Sequence, residues 1–180
     1  YMDYIDSVFG PEEGKLKGYC GHPAIEMGLA SLWRATGNSR YLKLARHFVE
    51  QRGQQPNWFD MEEGGDTALY WVEALRSFYR RRNLDFHEYN QSHAPAREQR
   101  TAVGHAVRAL NFYTGMADMA LECGDEGLRE ACKALWEDIC LRKMYITDGV
   151  GNEYDIEGFG AAYRLSNRDA YAETCAAVGL

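Results

Sequence analysis

Glu173 and Cys175, in the run Tyr171-Ala172-Glu173-Thr174-Cys175, set a carboxylate and a thiol one residue apart. Such a pair can grip a soft divalent metal. Zinc accepts both donor types and keeps a bound thiolate deprotonated. In a regular helix, residues i and i+2 point about 200° apart. The two side chains therefore reach one ion only if the backbone there leaves the helix. Otherwise Cys175 is a buried helix residue and Glu173 a solvated one. A second carboxylate, Glu157, lies in Asp155-Ile156-Glu157-Gly158-Phe159-Gly160. Between Ile156 and Phe159 it could be partly desolvated, which suits a general acid. The plain alternative is a solvated loop carboxylate.

The histidines divide by context. His105 falls in Val103-Gly104-His105-Ala106-Val107, which reads as the inside of an apolar helix, and Gly104 beside it suggests close approach by another group. His22, in Gly21-His22-Pro23, stands just before a helix, where it can face a pocket or cap the helix. His93 and Arg97 read as loop braces, and His47 and His87 as surface or pocket-edge residues. Tyr70, Trp71, Phe78, Tyr79, Phe86 and Tyr89 could stack on sugar rings or fill a core.

The elements that must position these groups are pairs of helices. Ile25, Leu29, Leu32 and Trp33 follow a helical stripe, broken at Gly37-Asn38-Ser39, with Ser39 expected as the next N-cap. Tyr41, Leu42, Ala45, Phe48 and Val49 make the return helix. The pattern recurs: Val103 to Leu121 reads as one long helix, Gly124-Asp125 as a turn, and Leu128 to Ile139 as the return. Aligning Gly37-Asn38-Ser39 with Gly124-Asp125-Glu126 brings the two return helices into register, as stacked hairpins would. Between the pairs, Pro56, Gly64 and Gly65 mark loops, residues 68–79 read as helical, and Leu84 to His93 has the make-up of a polar pocket wall. A Gly-rich loop runs from Asp148 to Asp169, in which Ala161 to Leu165 could form a short strand. The fold class expected is all-α, and helix pairs suit an open solenoid or a closed barrel.

With 180 residues, 46% hydrophobic and 26% charged, the chain can bury one core. A formal net charge of −7 argues against non-specific binding to nucleic acid or an anionic membrane, since either would repel it. No apolar run approaches the roughly 20 residues that span a bilayer. Five cysteines at irregular spacing, without a CxxC pair, point to a reduced, cytoplasmic-type chain, with Cys132 and Cys140 as small core residues. Tyr1 in place of an initiator methionine and the apolar run 176–180 read as cut ends.

Several segments together resemble the β-L-arabinofuranosidase glycoside hydrolase family. They are Gly18-Tyr19-Cys20-Gly21-His22-Pro23, residues 91–99 (QSHAPAREQ), residues 102–109 (AVGHAVRA), residues 143–151 (KMYITDGVG) and residues 170–176 (AYAETCA). The likeness runs from about Gly18 to Leu180, with the motifs in the family's order. It implies part of a catalytic (α/α)6 barrel, a ring of helical hairpins, spanning 1–180 and truncated at both ends. It also implies a carbohydrate substrate, Glu157 as general acid/base, and His105 and His22 at the sugar. Glu173 and Cys175 would be two of four zinc ligands. The other two are an adjacent cysteine pair further along the family's chains, one of them the nucleophile of a retaining mechanism. A helical-repeat binding module needs no Glu157 and no E-x-C pair. Another (α/α)6 sugar enzyme, such as an epimerase or an unsaturated-uronyl hydrolase, needs no thiolate.

Overall fold

The computed structural model describes residues 1–61, 77–81 and 84–180. Most of these residues are helical. The helices are α1 (Met2–Val8), α2 (Ile25–Thr36), α3 (Ser39–Gln51), α4 (Trp58–Met61), α5 (Phe86–Tyr89), α6 (Ala106–Cys123), α7 (Glu126–Arg142) and α8 (Thr174–Gly179). Residues 77–81 are helical as well, while 68–76 of the expected helix, Gly64, Gly65, Tyr70 and Trp71 lie outside the described residues. Among the described residues, no helix is long and apolar enough to cross a membrane.

Two hairpins, α2–α3 and α6–α7, make the core. Each turns on a left-handed glycine, Gly37 at φ 68° and Gly124 at φ 62°, a conformation that costs glycine little. Each return helix is capped by the next side chain. Asn38 accepts from the Arg40 amide at 3.1 Å, and Asp125 accepts from the Leu128 amide at 3.0 Å. The cap of α3 is thus Asn38 rather than Ser39, because the amide oxygen of Asn38 reaches the Arg40 N–H, which has no partner within the helix. The apolar stripes meet as the periodicity requires. Leu29, Ala30, Leu44, Phe48 and Val49 join Phe112, Met116, Met119, Leu128, Leu135 and Ile139 in one buried cluster. Cys132 packs at its edge, whereas Cys140 is only half-buried and lies outside it.

Helices α2 and α6 run in the same direction. Glu26, near the start of α2, lies against Gly115, and Arg34, near its end, pairs with Asp118 at 2.5 Å and Glu122 at 2.7 Å. Helix α8 packs on the other side of α6, with Gly179 against Leu110. The segments that lead into α2, α6 and α8 come together, with the His22 ring 6.1 Å from that of His105 and Glu173 within electrostatic reach of His105. Each helix follows directly on one of the segments singled out above: His22, His105 and Glu173.

The α6 helix starts later than its apolar stripe suggests. Gly104–His105 is a two-residue strand, β1, paired antiparallel with Gly158–Phe159, β2, in the register Gly104↔Phe159 and His105↔Gly158. Gly104 has φ 71°, and a Cβ there would lie 2.1 Å from the Glu88 carbonyl oxygen, so only glycine fits. Residues 161–165 form no strand. They turn, with Tyr163 at φ 63° and its amide donating to the Arg142 carbonyl at 2.7 Å.

Candidate functional site

The β1–β2 ladder sets His105 beside Glu157. His105 is the N-cap of α6 rather than a residue within it. Its Nδ1 accepts from the Arg108 amide at 3.4 Å. The neutral ring then carries its proton on Nε2, which lies 3.3 Å from Glu157 Oε2. Burial pushes the His105 imidazole below its ordinary range. The nearby Arg108 charge adds to this, and Glu157 opposes it.

Glu157 ends a single 3₁₀ turn, Tyr154–Ile156, with φ 50°, and its carbonyl accepts from the Ala106 amide at 3.0 Å. That left-handed backbone is uncommon for a residue with a side chain. Here it turns Glu157 out of the ladder toward His105. The side chain is 47% exposed, so the expected shielding by Ile156 and Phe159 does not occur. Instead Tyr171 lies beside the Glu157 carboxylate. That contact, with burial and the charge of Glu173, raises the phenol above its usual range. Tyr154 packs edge-on against Tyr171, ring centroids 5.7 Å apart.

Glu173 and Cys175 do meet. Glu173 is the extended N-cap of α8, at φ −66° and ψ 138°, and Cys175 sits in the first turn. The break from helical geometry brings the thiol beside the Glu173 carboxylate, which pushes Cys175 above its ordinary range. Cys175 is exposed rather than buried. Glu173 is also within electrostatic reach of His105. The donor types suit zinc, but they are two. Among the described residues, no group of three or more His, Cys, Asp or Glu side chains is placed to hold a metal ion.

His22 faces the same place. Its ring is edge-on to His105 at 6.1 Å, and its Nδ1 contacts the Pro23 carbonyl at 3.0 Å, leaving Nε2 free to accept. Tyr89, from the expected pocket wall, is edge-on to the other side of His105 at 5.5 Å. Tyr79 and Phe86 pack behind Tyr89 rather than facing the site.

The remaining histidines lie elsewhere. His47 is 4% exposed beside Phe48, buried rather than at the surface, because the Lys17–Gly18 segment packs over it. His87 lies near Asp60 and Ser92. Arg97 braces the second hairpin by pairing with Asp125 and Glu50.

Tyr171 is the site residue that sequence reasoning passed over. It belongs to the same Tyr-x-Glu-x-Cys run, and only the fold shows that its hydroxyl reaches back to Glu157. A cavity of about 880 Å³ borders the Gly104–Phe159 end of the ladder, lined by Glu88, Tyr89, Arg142, Lys143, Ile156 and Tyr163 among others. His22, His105, Glu157, Glu173 and Cys175 do not line it.

Residues 1–180 match the family described as β-L-arabinofuranosidase, GH127 catalytic domain. A curated relative, the non-reducing end β-L-arabinofuranosidase of Bifidobacterium longum subsp. longum, is 38% identical over 183 residues, covering 99% of this chain and 26% of its own length. The crystal structure of a GH127 β-L-arabinofuranosidase from Geobacillus stearothermophilus T6 superposes with a TM-score of 0.87 at 48% identity, over 99% of this chain and 27% of that one. A further solved GH127 β-arabinofuranosidase gives 0.78 at 36% identity, over 98% and 24%. The chain spans about a quarter of the length of these relatives.

Proposed function

Since the chain belongs to the GH127 β-L-arabinofuranosidase family, we propose that it forms one wall of a glycosidase site that removes β-L-arabinofuranosyl residues from glycans with retention. The surrounding architecture in this reading is an (α/α)6 barrel, to which α2–α3 and α6–α7 contribute hairpins.

One observation carries the reading. Glu157 stands 3.3 Å from His105 Nε2 with Tyr171 beside it, and the Glu173–Cys175 pair lies close by. A carboxyl so held suits general acid/base work, protonating the departing glycosidic oxygen and then taking a proton from the water that resolves the intermediate. His105 Nε2 stands beside the carboxylate. His22, edge-on to His105, offers Nε2 to a sugar hydroxyl, and the Tyr89 ring offers an aromatic edge beside His105. Glu173 and Cys175 would hold a zinc ion, which keeps a thiolate ionised at neutral pH. The nucleophile in this reading is a cysteine of the adjacent pair expected further along the chain, attacking the anomeric carbon as the leaving oxygen departs.

The experiment uses a protein of the relatives' length that carries these 180 residues. It should hydrolyse an aryl β-L-arabinofuranoside with retention. Glu157→Gln should lower kcat by about 10²- to 10⁴-fold while metal content stays unchanged. Inverted product, or unchanged kcat in the variant, would remove Glu157 from its role.

A further inference from the structure

Two arginines far apart in sequence grip the same two pieces of backbone. Arg52, fully buried, donates from Nη2 to the Cys20 carbonyl at 2.6 Å and from Nη1 to the Asn90 carbonyl at 2.8 Å. Arg108 donates from Nη1 to the Gly21 carbonyl at 2.6 Å and to Asn90 Oδ1 at 3.2 Å. The first piece continues into His22. The second is preceded by Tyr89. These are the two rings that stand edge-on to His105, at 6.1 and 5.5 Å. Arg108 also lies 5.2 Å from the centre of the Tyr89 ring, and its own amide is the group that caps His105 Nδ1.

We propose that Arg52 and Arg108 are positioning residues of the sugar site, pinning residues 20–21 against Asn90 and thereby setting the His22 and Tyr89 rings about His105. The proposal rests on the glycosidase reading. Neither arginine needs to touch substrate.

The chemistry favours arginine at both positions. Arg52 meets its two acceptors with two nitrogens of one rigid group, Nη1 and Nη2, which an ammonium on a flexible stem does not supply. Arg108 makes both hydrogen bonds from Nη1 while its planar guanidinium lies over the Tyr89 ring, a pairing of bond and face that an ammonium does not reproduce. Neither guanidinium has a carboxylate within ion-pair distance among the described residues. Arg52 is instead sandwiched by Tyr19 at 4.5 Å and Phe112 at 5.2 Å. Glu26, wholly buried nearby, feels its charge but spends its one hydrogen bond on the Ala24 amide at 3.0 Å. Both arginines are thus committed to carbonyl and amide oxygens of the site loops. Misplacing reactive or binding groups by about 1 Å can cost up to about 100-fold.

Arg108 is the residue to test, because removing the buried Arg52 can unfold the chain. In the relatives-length protein, Arg108→Gln should raise KM for an aryl β-L-arabinofuranoside about 10-fold or more, with kcat changed less than about 3-fold. Arg108→Lys should recover little of this, and added guanidinium at low millimolar concentration should recover part of it in Arg108→Gln. An unchanged KM, or Lys serving as well as Arg, would overturn the proposal. A second readout does not depend on catalysis. The imidazole NMR signals of His22 and His105 should both shift in Arg108→Gln while helical circular dichroism and the thermal midpoint hold. Unmoved signals would overturn the clamp. Absent hydrolysis by the unmutated protein, together with shifted imidazole signals, would instead refute the glycosidase reading and leave the clamp standing.

Discussion

The two hairpins grip their own beginnings in the same way but with different chemistry. At the end of α3, Arg52 occupies the C-cap and reaches the carbonyl of Cys20, just before His22. At the end of α7, Lys143 occupies the C-cap and reaches the carbonyl of Ala102 at 2.6 Å, just before His105. Both cations are buried. Lys143, however, has its own counter-ion, Asp138 at 3.0 Å, which also accepts from the Ala102 amide at 2.9 Å. Arg52 has carbonyls and aromatic faces instead. The second hairpin is a closed unit in which cation, anion and backbone satisfy one another. The first is completed by a third segment, at Asn90. A repeated scaffold therefore delivers one histidine on a self-sufficient mount and the other on a shared one.

The largest effect that can break this comparison is loss of a partner from the closed unit. Lys143→Met leaves Asp138 buried with less compensation, and urea unfolding should show a loss of about 3–5 kcal/mol. Arg52→Met removes hydrogen bonds to neutral carbonyls, and the buried Glu26 can take up a proton, so about 1–3 kcal/mol is expected. Equal losses, or a larger one for Arg52, would end the distinction.

Next come the glycines before each histidine. Gly104→Ala places a Cβ 2.1 Å from the Glu88 carbonyl at a positive φ, and about 3 kcal/mol of stability should go. A Cβ at Gly21 meets nothing within 4 Å, so Gly21→Ala should change stability by less than about 0.5 kcal/mol. Thermal midpoints of the two variants decide this.

The smallest effect is pH-dependent. Burial holds His47, His93 and His105 below the ordinary imidazole range. Such groups contribute stability above their unfolded value, roughly 6.5, and lose it as pH falls through the folded value. Unfolding free energy should decline as pH is lowered from 7 toward 5. His47→Gln should flatten the decline while leaving the site's share in place. An unchanged slope would show that this core imidazole carries none of it.

What the sequence disclosed follows from the range of the forces involved. The hairpin turns were legible because Gly-Asn and Gly-Asp encode a left-handed stop and a cap within two residues. The alignment of the two turns predicted their matching roles, although Ser39 was assigned the cap that Asn38 takes. Glu157, His105, His22, Glu173 and Cys175 were picked out by motif, but their surroundings were not. His105 read as helical because Val103 and Val107 keep helical spacing, whereas the crowding at Gly104 comes from residue 88. A two-residue ladder containing two glycines has no alternation to detect. His47 gave no sign of burial, since its Phe48 and Val49 neighbours mark a core-facing helix without saying how wide that face is.

The same ladder bears on how the molecule assembles. It joins His105 to Gly158 across more than fifty positions, while each hairpin closes on neighbours in sequence. Local contacts form fast, and distant ones must first overcome the entropy of closing a long loop. The hairpins can fold with the ladder still open. In that order of events the site is the last part made and, under mild denaturant, the first part lost.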